Sequence, residues 1–125
     1  MSTTSNPSTE SSSRENPCYG TDTQSAALNV VADDETSHLL AYAQFLRAER
    51  AANPALEREP SAPPERMVLR FASAEVVLLG SGLRTIERAV QRSDLKFVQS
   101  ADRRLARTLT THIAAVTILL NQERA

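Results

Sequence analysis

The stretch RMVLRFASAEVVLLGSGLRTIERAVQR, residues 66–92, decides the fold. In its first part Met67, Leu69 and Phe71 fall on one side and Arg66, Val68 and Arg70 on the other. That is the period-2 alternation of a strand with one wet face. Ala72-Ser73-Ala74 turns the chain, and Glu75-Val76-Val77-Leu78-Leu79 follows as a nearly continuous apolar run. Such a run predicts a strand in the middle of a sheet, and the short connection predicts an antiparallel hairpin. After Gly80-Ser81-Gly82 the period changes. Leu83, Ile86, Ala89 and Val90 recur at helical spacing, with Arg84, Arg88 and Arg92 opposite them, which predicts a helix to about Arg92 with Ser81 as its N-cap.

C-terminal to this block, Ser93-Asp94 breaks the helix and Leu95–Gln99 reads as a third strand. Ala101, Leu105, Ala106 and Leu109 fit a short helix capped by Ser100. Ile113–Leu120 is rich in β-branched residues and fits a fourth strand. The alternative is one helix over 101–120, which Thr108, Thr110 and Thr111 disfavour as weak helix formers. Residues 66–120 thus predict a small α+β domain, a two-layer β-β-α-β-(α)-β unit with a mainly antiparallel sheet, followed by a tail at 121–125.

N-terminal to the block, residues 53–65 contain Pro54, Pro60, Pro63 and Pro64 and read as a proline-rich linker. Leu39, Tyr42, Ala43 and Leu46, widened by Phe45, recur at helical spacing behind Asp33-Asp34-Glu35. This predicts an amphipathic helix within 33–52, from about Glu35 to Ala52, ended by Asn53-Pro54. Residues 1–25 hold twelve Ser or Thr and almost nothing apolar. They cannot bury enough surface to offset the entropy of ordering, so residues 1–32 are expected to be a disordered Ser/Thr-rich tail. A unit of about 55 residues buries only ~60% of its unfolded surface. The helix at 35–52 or a second copy is therefore expected to complete the core.

The net charge of −1 hides an asymmetry: residues 1–65 carry −6 and residues 66–125 carry +5. Arg84, Arg88 and Arg92 on one helix face, with Arg103, Arg104 and Arg107 beyond it, form a candidate polyanion surface. Glu87 and Asp102 dilute it, and no aromatic-basic ribbon accompanies it. Gly80-Ser81-Gly82 between strand and helix is the candidate anion turn, because glycines let backbone N–H groups approach an anion at a helix start. The third glycine of a dinucleotide pattern is missing, with Thr85 at that position, so a plain strand-to-helix turn is the competing reading.

Chemistry at a catalytic site finds little support. His38 and His112 stand apart from cysteine or carboxylate partners at a recognisable spacing, and no G-x-S-x-G surrounds any serine. Glu75, Glu87, Asp94, Asp102 and Glu123 form no pair at motif spacing. Cys18 is the single cysteine, which excludes an intrachain disulfide and the paired thiols of a zinc site; it reads as an inert thiol in the tail. No secretory signal is legible, and Ile113–Leu120 is far short of the ~20 residues of a spanning helix. The expectation is a soluble cytoplasmic chain without catalytic, metal or cofactor sites, binding another protein or itself rather than a membrane. Weak nucleic-acid or polyanion binding, modulated by the acidic N-terminal half, is the alternative.

Overall fold

A computed structural model describes residues 16–121 of the chain. They form an α+β fold of eight strands in two mostly antiparallel sheets with one α-helix. The strands are β1 (Tyr19–Thr21), β2 (Ala27–Val31), β3 (Ser37–Ala41), β4 (Phe45–Ala52), β5 (Glu65–Phe71), β6 (Ala74–Ser81), β7 (Leu95–Val98) and β8 (His112–Leu120). The helix α1 spans Arg84–Gln91, between β6 and β7. One sheet has the order β1-β7-β2-β3, the other β4-β5-β6-β8.

The β5–β6 hairpin forms as its alternation predicts. Met67, Leu69, Phe71, Val76 and Leu78 are buried, and β6 is central, paired to β5 on one side and β8 on the other. The apolar stripe of α1 is also confirmed, with Ile86, Ala89 and Val90 buried. Its start differs from expectation. Ser81 belongs to β6, Leu83 is the N-cap, and the Leu83 backbone N–H donates to Glu65 Oε1 at 2.9 Å. A carboxylate from the neighbouring strand therefore meets the positive end of the helix. The 101–120 region is a 3₁₀ segment, Arg103–Arg107, followed by β8.

The N-terminal half corrects the sequence reading. The expected helix at 35–52 is β3, a 3₁₀ turn at Tyr42–Gln44, and β4. Ala, Gln, Arg and Glu favour helix locally, but by tenths of a kcal/mol per residue, and tertiary pairing overrides that preference. Here β4 lies antiparallel along β5, with Phe45 opposite Phe71 and Ala48 opposite Leu69. The rings of Phe45 and Phe71 meet edge-on at 5.3 Å, and Tyr42 packs against both at 6.4 Å. The Tyr42 hydroxyl donates to the Leu95 carbonyl at 2.7 Å. Burial, reinforced by the charge of Asp94, pushes that hydroxyl up to about 12.

Asp33-Asp34-Glu35, expected to start a helix, turns β2 into β3 instead. Glu35 takes a left-handed φ of 71°, and Asp34 accepts from both the backbone N–H and the hydroxyl of Thr36. Those bonds, the hydroxyl's first, hold the Asp34 carboxyl below the usual range. Residues 53–64 are not a linker between separable units but the loop of the β4–β5 hairpin. Asn53, buried, closes it by accepting from the Ala55 N–H and donating to the Pro63 carbonyl.

Residues 1–15 of the expected tail lie outside the described residues, whereas 16–32 supply β1 and β2. Leu28, Val30 and Val98 from the first sheet, with Cys18 just before it, share one core with Phe71, Leu78, Ile86 and Val116. The chain thus completes its own core with strands from 16–52, and neither a docked helix nor a second copy is needed for that purpose. Among the described residues no helix is long and apolar enough to cross a membrane.

Candidate functional site

The glycines at the end of β6 serve the chain's own packing. A Cβ on Gly80 would fall well inside 3.0 Å of the His112 carbonyl oxygen, and one on Gly82 would do the same to the Thr110 carbonyl oxygen. Gly82 also has a φ of 63°, the left-handed region that glycine occupies without strain. Two carbonyl oxygens thus crowd the turn, and Glu65 occupies the helix N-terminus. Gly80 is buried but Ser81 and Gly82 are half-buried, and Gly80 and Ser81 line a cleft of about 490 Å³ with Arg103 and His112. The candidate anion turn therefore keeps an open side, although two carbonyls and Glu65 crowd it.

Two other groups acquire structural roles. Cys18 lies in the core rather than in a tail. Ile113 donates its N–H to Cys18 Sγ at 3.2 Å, and desolvation pushes the thiol up, which keeps it protonated. The His112 ring is buried with Nε2 at 3.1 and 3.0 Å from the Ala101 and Asp102 carbonyl oxygens. Both neighbours are acceptors, so Nε2 carries the hydrogen and fastens the 3₁₀ segment to β8. Among the described residues no group of three His, Cys, Asp or Glu is placed to hold a metal.

The six arginines of the candidate polyanion surface are all exposed. Arg104 is bound to Asp102, whose carboxyl that guanidinium holds below the usual range. Arg84, Arg88, Arg92, Arg103 and Arg107 make no ion pair among the described residues. The start of α1 and residues 108–111 border one cleft of about 710 Å³, lined by Thr85, Lys96, Phe97, Thr108 and Thr110 among others. Phe97 lies across Gly20, where a Cβ would strike its ring. The acidic half is not a separable modulator, because residues 16–65 contain β1–β4.

The feature that sequence reasoning missed is the edge of β4. Edge strands offer unpaired N–H and C=O groups, and proteins commonly cover or shorten them. The first half of the β8 edge is covered: the Ile113 N–H goes to Cys18 Sγ, the Ile113 carbonyl accepts from Ala101, and the Val116 N–H goes to Asp33 Oδ1, which leaves only its last four residues, 117–120, open. Strand β1 has three residues and β3 five. Strand β4 has eight, and among the described residues no hydrogen bond reaches the backbone of 46–52 from outside the β5 hairpin. Leu46 on it is 65% exposed.

On the face of this sheet that points away from the core, Arg47 binds Glu49 at 2.9 Å, and Arg70 reaches Glu49 at 3.4 Å and also Glu75. Arg47 and Arg70 are cross-strand neighbours in register, a like-charge pair that Glu49 and Glu75 screen. An alternating-charge edge of this kind was hidden in the sequence by its resemblance to a helix surface. No family model, curated protein or solved structure matches this chain.

Proposed function

We propose that this chain is a non-enzymatic protein-interaction module that self-associates through the open edge of β4. The observation that carries the reading is an eight-residue edge strand with exposed Leu46 and no covering segment among the described residues, whereas the β8 edge is covered along its first half. Strand addition to such an edge draws affinity from main-chain hydrogen bonds and specificity from alternate side chains. Sedimentation equilibrium of the full chain, from low micromolar to near-millimolar concentration, tests it. A concentration-dependent rise toward the dimer mass is expected; a monomer throughout would end the reading.

A second reading is favoured by a different observation: Arg84, Arg88, Arg92, Arg103 and Arg107, which form no ion pair among the described residues, with Lys96 and threonine hydroxyls in the adjoining cleft. It assigns weak binding of nucleic acid or another polyanion. Affinity of that kind falls steeply with salt because bound counterions are released. Fluorescence anisotropy of labelled oligonucleotides with the full chain is expected to show binding that is lost between low and near-physiological salt. No binding at low salt makes the arginines an ordinary wet face.

A further inference from the structure

We infer that the partner at the β4 edge is a second copy of the same strand, paired antiparallel about a two-fold axis at Ala48. This rests on the self-association proposed above and fixes its register. The sequence Phe45-Leu46-Arg47-Ala48-Glu49-Arg50-Ala51 is self-complementary in charge about its middle residue. With Ala48 opposite Ala48 of the second copy, Arg47 of each chain faces Glu49 of the other. Opposite charges directly across an antiparallel pair stabilise it, and like charges destabilise it.

Neighbouring registers lose this match. Centring the axis on Arg47 places two arginines opposite each other, and centring it on Glu49 places two glutamates opposite each other. The Ala48 register also adds Glu49 of the second copy to the row in which Arg47 already stands beside Arg70. That supplies the Arg47–Arg70 pair with a further counter-charge. It sets Leu46, 65% exposed alone, opposite Arg50, whose methylene stem can lie over it. The contact is isologous: one patch, used twice. Two strand edges bury less than the ~1,200 Å² of a standard stable interface, so the dimer is weak and concentration-dependent.

Charge exchange at Arg47 and Glu49 tests the register. Arg47→Glu places glutamate opposite Glu49, and Glu49→Arg places arginine opposite Arg47, so each variant alone should self-associate about tenfold more weakly than the unmodified chain. An equimolar mixture of the two should recover the unmodified affinity, because every pair across the mixed edge is then opposite in sign. The chain carrying both changes keeps the pairs with signs exchanged and should dimerise normally. Circular dichroism of each variant establishes that the fold is intact.

Single variants that dimerise as tightly as the unmodified chain would overturn the register while leaving self-association standing on another surface. Weakened singles that fail to recover on mixing would overturn it as well. An unmodified chain that is monomeric at every concentration would remove both the register and the proposal beneath it.

Discussion

Gly80→Ala should lower stability by about 3–5 kcal/mol, a large part of the roughly 5–15 kcal/mol that holds a domain together. Gly80 lies in the central strand β6, paired with Glu65 of β5 and Ile113 of β8, at the point where the β6–β8 register shifts. The atoms that an added Cβ would strike are the His112 carbonyl and the Ile113 Cα, which are backbone of the adjacent strand and not the flexible end of a side chain. They cannot retreat alone, because His112 also holds the 3₁₀ segment through its ring and Ile113 is fully buried. Relief requires β8 to separate from β6 along this stretch. Urea denaturation of the variant measures the loss. A decrease below about 1 kcal/mol, the ordinary range for a tolerated substitution, would mean that β8 can shift freely at this point.

Phe71→Ala is the second large effect expected, at about 3–5 kcal/mol. Phe71 is 2% exposed and is the meeting point of three segments: β5 that carries it, Phe45 at the start of β4, and Tyr42 in the turn before it. Alanine removes the ring and leaves a cavity that the paired strands cannot close without losing register. For a domain near 100 residues each kcal/mol moves the melting temperature by roughly 4–8 °C, so a fall of well over 10 °C is expected in calorimetry. A fall of only a few degrees would show that the aromatic cluster is not what secures β4 to the core.

Most of the C-terminal half was legible because its residues agree at each level. But Leu95–Val98, expected in the same sheet as β5 and β6, pairs instead with β1 and β2 of the other sheet, whose strands local reading does not supply. Met67, Leu69 and Phe71 alternate, Val76–Leu79 is apolar and opens with two β-branched valines, and Ile86, Ala89 and Val90 keep a helical period next to a glycine-bearing turn. Pattern and propensity point the same way in each of those elements. Residues 35–52 were misread because they do not agree. Their alanines, arginines and glutamates favour helix, and the core-facing positions, buried Leu40 and half-buried Tyr42, Phe45 and Ala48, fit a helical stripe nearly as well as two strands around a turn. The information that decides between them sits in the partner strand β5, which local reading does not use.

The same gap hid the role of residues 16–32. Leu28, Val30 and Cys18 are too few to suggest a core on their own, yet each is completely buried once β7 and β8 lie beside them. Of the candidate sites, the arginines are placed on the surface as their spacing implied. The glycine turn proved to be a close approach of two backbones, for which the sequence carries no separate signal. The open β4 edge could be found only after β4 was known to be a strand.

The most direct test of the account is amide hydrogen exchange of the full chain across a dilution series. Strand pairing protects the outward amides of Phe45–Ala52 and no others, so exchange in that segment should slow as concentration rises while the rest of the chain stays unchanged. Exchange in Phe45–Ala52 that is independent of concentration, or a concentration effect confined to another segment, would contradict it.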